Sequence, residues 1–189
     1  MPTNKKGKIF EKNFAEAAKR QDVFCLRLND TSQAYQQETK NQTHFTPHNC
    51  CDYLVHFKGT LFALELKSTK YKSISIQRDE KNPTSMIKKH QLNSLIKLSQ
   101  YDEVKAGFIL NFREEDEDEN IIDDNTYYLD IKQMSNFLYK SDKNSINKLD
   151  IIDYGGIRID CKKVRKYFTY DVKGLLKQLV EKDWLEEEK

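Results

Sequence analysis

Apolar residues recur at helical spacing over residues 7–20, where Ile9, Phe10, Phe14, Ala17 and Ala18 form one stripe, so the pattern predicts a first helix. Residues 23–28 alternate and predict a first strand, and residues 29–49 then run polar with no sustained apolar period. A connection of that length is long for the inside of a compact domain and suggests an arm. Two short runs rich in aromatic and aliphatic residues follow, Tyr53 to Phe57 and residues 60–66, separated by Lys58-Gly59, which is a hairpin signal. Residues 68–84, polar, basic and broken by Pro83, read as a mobile loop. An amphipathic helix is predicted over residues 86–100, with Ile87, Leu95 and Leu98 sharing a stripe with Gln91. Strands are predicted over residues 105–112 and 126–131, a helix over residues 131–139, and a turn at Tyr154-Gly155-Gly156-Ile157. Asp171 caps a last helix with Val172, Leu175, Leu176, Leu179 and Val180 as its packing stripe and Trp184 near its end. The sum is one domain over residues 1–189, built on a mixed sheet of about five strands flanked by helices.

The hairpin carries the chemistry. With a two-residue bend at Lys58-Gly59, Phe57 opposes Thr60, and counting back along both strands puts Asp52 opposite Glu65, with Lys67 two residues further on the same face. Opposed β-carbons lie about 5 Å apart. Two carboxylates so placed repel by roughly 1 kcal/mol in water and about four times that near a protein surface. A hard divalent cation relieves the repulsion, since it takes carboxylate oxygens and keeps positions open for water and phosphate. Lys67 beside such an ion would neutralise charge developing on a phosphoryl group. The plain alternative is a turn-capping Asp52 and a solvated Glu65–Lys67 pair. Against that, Leu54, His56, Leu61 and Ala63 share the charged face while Tyr53, Val55, Phe62 and Leu64 fill the other, so both faces read as buried. Glu11, at the border of the first helix's stripe, either points toward the sheet or is solvated. Gln91 either offers its side-chain oxygen to the metal or its water, or is a core amide bonded to backbone.

Composition adds limits. With 189 residues, 38% hydrophobic and 11% aromatic, the chain can bury a substantial core. No run is apolar enough to span a bilayer and the first residues lack the apolar core of a secretory signal, which predicts a cytoplasmic protein. Four cysteines, Cys50 and Cys51 adjacent and Cys25 and Cys161 remote, make no disulfide or zinc framework, and His44, His48 and Cys50 lack a second ligand pair. The net charge of +2 hides a segregation: residues 114–124 hold eight acids and no base, while residues 67–89 hold seven bases against Asp79 and Glu80. The acidic block reads as a solvated loop away from any polyanion, and the basic excess as a nucleic-acid face.

Taken together, Asp52 followed by Glu65-Leu66-Lys67 resembles the nuclease superfamily with the Asp…(Asp/Glu)-x-Lys motif. Further anchors fall in order: Gly7-Lys-Ile-Phe-Glu11, Cys51-Asp52-Tyr53, Glu65-Leu66-Lys67-Ser-Thr-Lys70, His90-Gln91, Ala106-Gly107-Phe108-Ile109-Leu110, and a late Asp-Tyr-Gly-Gly-Ile-Arg-Ile-Asp. In that order they resemble the RecU-type Holliday junction resolvases. The resemblance implies a restriction-endonuclease-like α/β fold with a stalk over residues 29–49. It implies a magnesium-dependent (manganese-tolerant) homodimer that nicks opposed strands of four-way junction DNA, working with a recombinase or branch-migration protein. It assigns Asp52, Glu65 and Gln91 to the metal site, Lys67 to transition-state stabilisation and Glu11 to the helix-one glutamate. One departure is Cys50, where the family commonly has a threonine at a metal-site position, since a thiol is a poor magnesium ligand. The alternatives are another nuclease of the superfamily acting on duplex DNA, and a non-catalytic DNA-binding or recombinase-modulating protein.

Overall fold

The computed structural model describes residues 4–28, 49–79, 82–117, 120–165 and 167–187. The expected stalk, with His44 and His48, lies outside the described residues except for Asn49, and so does the side chain of Trp184.

Helix α1 (Asn4–Arg20) leads into the edge strand β1 (Phe24–Arg27), which pairs antiparallel with β2 (Tyr53–Phe57). The hairpin from β2 to β3 (Thr60–Thr69) has the register expected of it, Phe57 opposite Thr60 and Tyr53 opposite Leu64. Its bend is a two-residue turn with both central residues left-handed, Lys58 at φ 47° and Gly59 at φ 85°, the pattern whose twist matches a hairpin. Strand β4 (Ser73–Ser75) is followed along the chain by α2 (Lys89–Leu98). Strand β5 (Val104–Glu115) lies parallel to β3, and β6 (Ile121–Asp130) returns antiparallel to it. The chain continues through α3 (Ile131–Lys140), β7 (Ser145–Asn147), α4 (Lys148–Asp153), β8 (Ile157–Ile159), β9 (Cys161–Val164), β10 (Tyr167–Tyr170) and α5 (Val172–Glu187). The main sheet has six strands in the order β1-β2-β3-β5-β6-β8, with β9–β10 and β4–β7 as two small additional sheets.

The two faces of the sheet bury separate cores. On one side Phe10, Phe14, Ala17 and Ala18 of α1 pack with Leu175, Leu176 and Leu179 of α5 over Tyr53, Val55, Phe62, Leu64 and Leu66. On the other, Leu92 and Leu95 of α2 and Met134 and Phe137 of α3 cover Ala63, Phe108, Leu110 and Leu129. Strand period two thus sends Leu64 and Leu66 to the first core and turns Glu65 toward the second. At Gly107 the strands press so closely that a β-carbon would stand 2.7 Å from the Leu129 carbonyl oxygen and 2.7 Å from the Tyr128 ring.

Four expectations need correction. Residues 68–84 are not a free loop: β3 runs on to Thr69, β4 pairs with β7, and Ile76 bridges to Ile87, with Ile74, Ile76 and Ile87 all buried. The second helix starts at Lys89 rather than 86, because Ile87 is held by that bridge. The acidic run is strand at both ends: β5 reaches Glu115 and β6 starts at Ile121, pairing Arg113 with Asp124 and Glu114 with Asp123. Glu115 sits between Lys6 and Arg113, at 2.9 Å and 2.6 Å, which hold its carboxyl below its usual range although burial pushes it up. Finally, His56 is exposed and Leu54 only half-buried, so β2 is buried fully on one face only. Among the described residues no helix is long and apolar enough to cross a membrane.

Candidate active site

Asp52 precedes β2 by one residue and holds the open end of the hairpin. Its backbone N–H donates to the Leu64 carbonyl at 3.1 Å, and its carboxylate Oδ2 accepts the Leu66 N–H at 2.8 Å. That anchorage fixes the carboxylate beside Glu65 of β3. Glu65 is only 2% exposed. Burial drives its pKa up, to about 7; the neighbouring Lys67 opposes this, while the Asp52 charge and a hydrogen bond between the two carboxyl groups reinforce it. Lys67 Nζ lies 2.8 Å from Glu65 Oε1, so one ammonium faces two carboxylates.

Gln91 reaches the same atom from α2, its Nε2 donating to Glu65 Oε1. Its own Oε1 accepts the Lys88 backbone N–H at 2.9 Å, the returning half of a capping box. Because that bond requires the oxygen, the nitrogen must face Glu65. In this arrangement Gln91 holds a carboxylate in place and its oxygen is committed to the helix cap.

Glu11 approaches from the α1 side. Its carboxylate accepts from Arg27 Nη2 at 2.7 Å, and its pKa is raised by burial first and by the Asp52 charge second, with Arg27 and Lys67 opposing. Asp52 and Lys67 are thus both within electrostatic reach of Glu11. Cys50 is half-buried with its Sγ 3.9 Å from that of Cys51, whose buried thiol donates to the Tyr53 carbonyl and is pushed strongly upward in pKa by burial. Burial thereby keeps the Cys51 thiol protonated.

Among the described residues no three His, Cys, Asp or Glu side chains converge closely enough to hold an ion by themselves. The donor set that fits a hard cation is therefore the Asp52–Glu65 pair, completed by water and phosphate oxygens in the manner usual for magnesium. The fit rests on a deeply buried carboxylate beside a second one, with a single ammonium to balance them.

Two features escape a sequence reading. Arg27 pairs with Glu11 only because β1 lies beside β2 (Arg27 opposite Tyr53), a pairing that a separation of 26 residues does not disclose. A buried polar network on the other face joins Ser68, Asn111, Arg113, Asp124, Thr126 and Tyr170. Its one sequence signal was the polar Asn111 inside an apolar strand.

The six-stranded mixed sheet flanked by helices is the restriction-endonuclease-like architecture expected, and it is similar to that of a Holliday junction resolvase, Hjc of Archaeoglobus fulgidus. That likeness has a TM-score of 0.50 at 14% identity and covers 80% of this chain and 95% of the other. The chain is also 30% identical, over 97% of its length and 91% of the relative's, to the SPbeta prophage-derived uncharacterized protein YotM of Bacillus subtilis (strain 168), and it belongs to that protein's family. No family model matches it.

Proposed function

We propose that the protein is a magnesium-dependent endonuclease that resolves four-way DNA junctions as a homodimer, nicking two opposed strands symmetrically. The observation that carries the reading is the burial of Glu65 beside Asp52 with Lys67 Nζ at 2.8 Å. A folded protein keeps two carboxylates together in its interior only where something compensates them, and perturbed acids of this kind concentrate at functional sites.

When bound, a divalent ion polarises the scissile phosphate and lowers the pKa of a coordinated water. Asp52 and Glu65 would hold it, the first fixed by the Leu66 N–H and the second by Gln91. Lys67 turns its ammonium from Glu65 to the phosphate and neutralises the charge that builds there. Glu11, its pKa raised by burial and by the Asp52 charge and its carboxylate oriented by Arg27, would accept or relay a proton from the attacking water. The strongly basic stretch from Lys67 to Lys89 supplies phosphate contacts. The resolvase likeness in fold and the two-fold symmetry of a junction favour a symmetric dimer with two such sites.

The test is a nicking assay on a synthetic four-way junction and on its linear arms, with magnesium, manganese or chelator. The expected result is metal-dependent paired nicking of the junction by the wild type and none by Asp52→Ala, with junction binding retained. Equal cutting of the linear arms would make the protein a duplex endonuclease of the same fold, and activity untouched by Asp52→Ala would remove the catalytic reading.

A further inference from the structure

Past Lys67, β3 ends at Thr69 and the chain turns through Lys70, Tyr71 and Lys72 before β4. Tyr71 is 66% exposed, and both flanking lysines are exposed. An aromatic ring standing in water between two cations is chemically unlike the rest of this neighbourhood, where the apolar side chains of β3 and β4 are buried. The backbone under it is fixed on both sides. Thr69, 3% exposed, accepts the Tyr71 backbone N–H on its Oγ1 at 3.0 Å, and two residues beyond Lys72 the fully buried Ile74 anchors β4 against β7. A short turn tied at both ends presents the ring in a narrow range of positions and so loses little entropy on engaging a ligand.

Its place in the fold gives the second half of the argument. Tyr71 follows Lys67 by four residues, so their α-carbons are at most about 14 Å apart, and both lie toward the C-terminal end of β3. Tyr101, another exposed tyrosine, lies before β5, whose first residue pairs with Leu61 at the opposite end of the sheet. Flat aromatic faces interleaved with lysines are how proteins hold unstacked nucleobases, the ring taking the base and the cations the phosphates on either side.

We propose that Tyr71 is a stacking platform for an unpaired base next to the cleaved phosphate, with Lys70 and Lys72 holding the flanking backbone. The inference rests on the DNA reading of the site and deepens it, because a fully paired duplex offers no free base face whereas bases at a branch point can unstack. The protein would then recognise the branch through one ring.

The experiment uses the full chain, chelator to prevent cleavage, and a four-way junction carrying 2-aminopurine at the branch. Wild type should quench the fluorophore on binding. Tyr71→Ala should abolish the quench and weaken junction binding about tenfold or more while leaving linear duplex binding unchanged, and Tyr71→Phe should behave as wild type. Lys70→Ala and Lys72→Ala should each reduce the salt slope of log K by about 0.9. Unchanged quench and affinity in Tyr71→Ala, a Tyr71→Phe as defective as the alanine variant, or no binding of DNA by the wild type would each overturn the proposal. Nicking, measured separately, keeps the two readings apart: a wild type that quenches but never cuts leaves the platform standing and removes the nuclease.

Discussion

Two carboxylates are buried to almost the same degree in this molecule, Glu65 at 2% exposure and Asp124 at 3%, and they are treated in opposite ways. Asp124 receives hydroxyl and amide donors from Thr126 (2.7 Å), Tyr170 (2.8 Å) and Asn111; burial raises its pKa and these bonds pull it back. The Asp123 charge, which also raises it, is the smallest of these causes. Glu65 instead has a second acid beside it and a single ammonium for the pair. The first is a completed piece of structure, its lone pairs spoken for by neutral donors. The second is left with surplus negative charge, which is a reason for a cation to come.

The sharpest way to break this contrast is to neutralise each acid in turn. Glu65→Gln should lower nicking by about a thousandfold, as expected when a charge central to phosphoryl transfer is lost, without lowering the melting temperature of the metal-free protein. Asp124→Asn, read in the same two assays, should leave nicking per folded molecule within a few-fold. If Glu65→Gln cleaves normally, the surplus charge serves no catalysis.

The next largest effect is in pH. The folded protein holds the Glu65 proton up to about pH 7, whereas the unfolded chain releases it near the ordinary glutamate value of 4.5. Between those values the folded state binds more protons, so this group's contribution to stability is full below about 4.5 and is lost as pH rises through 7. A shift of this size is worth on the order of 3 kcal/mol. Urea titrations of metal-free protein should show that decline, Glu65→Gln should flatten it, and added magnesium should stabilise more at pH 8 than at pH 5.5.

Asp124→Asn follows, at a cost of about 1–3 kcal/mol in chemical denaturation, since the new amide nitrogen meets donors that had an acceptor. Smallest is Gly59→Ala. Nothing lies within 4 Å of the added methyl, so the cost is only the left-handed backbone at φ 85°, about 1 kcal/mol. It should lower stability while nicking by the folded fraction stays unchanged, because the alignment of Asp52 with Glu65 survives.

What could be read in the sequence and what could not divides along the chain by the range of the interactions. The hairpin was legible because a glycine, a two-residue bend and period two are all local, and they alone align Asp52 with Glu65. Residues 114–124 were not legible, because the partners that turn an acidic run into strand, Lys6 and Lys148 among them, lie far away in sequence. The same holds for residues 68–84, whose order comes from β7 some seventy residues later. Gln91 could be singled out as an amide facing inward, but its orientation depends on a helix beginning after Lys88, and the apolar Ile87 drew the predicted start too early.

Gln91 also links local order to chemistry. One amide closes the opening turn of α2 through its oxygen and steadies Glu65 through its nitrogen, so the helix cannot fray at that end without releasing the acid. Winding of ten residues and placement of the Glu65 carboxylate are thereby one event. Slow hydrogen exchange at Lys88 would report on both.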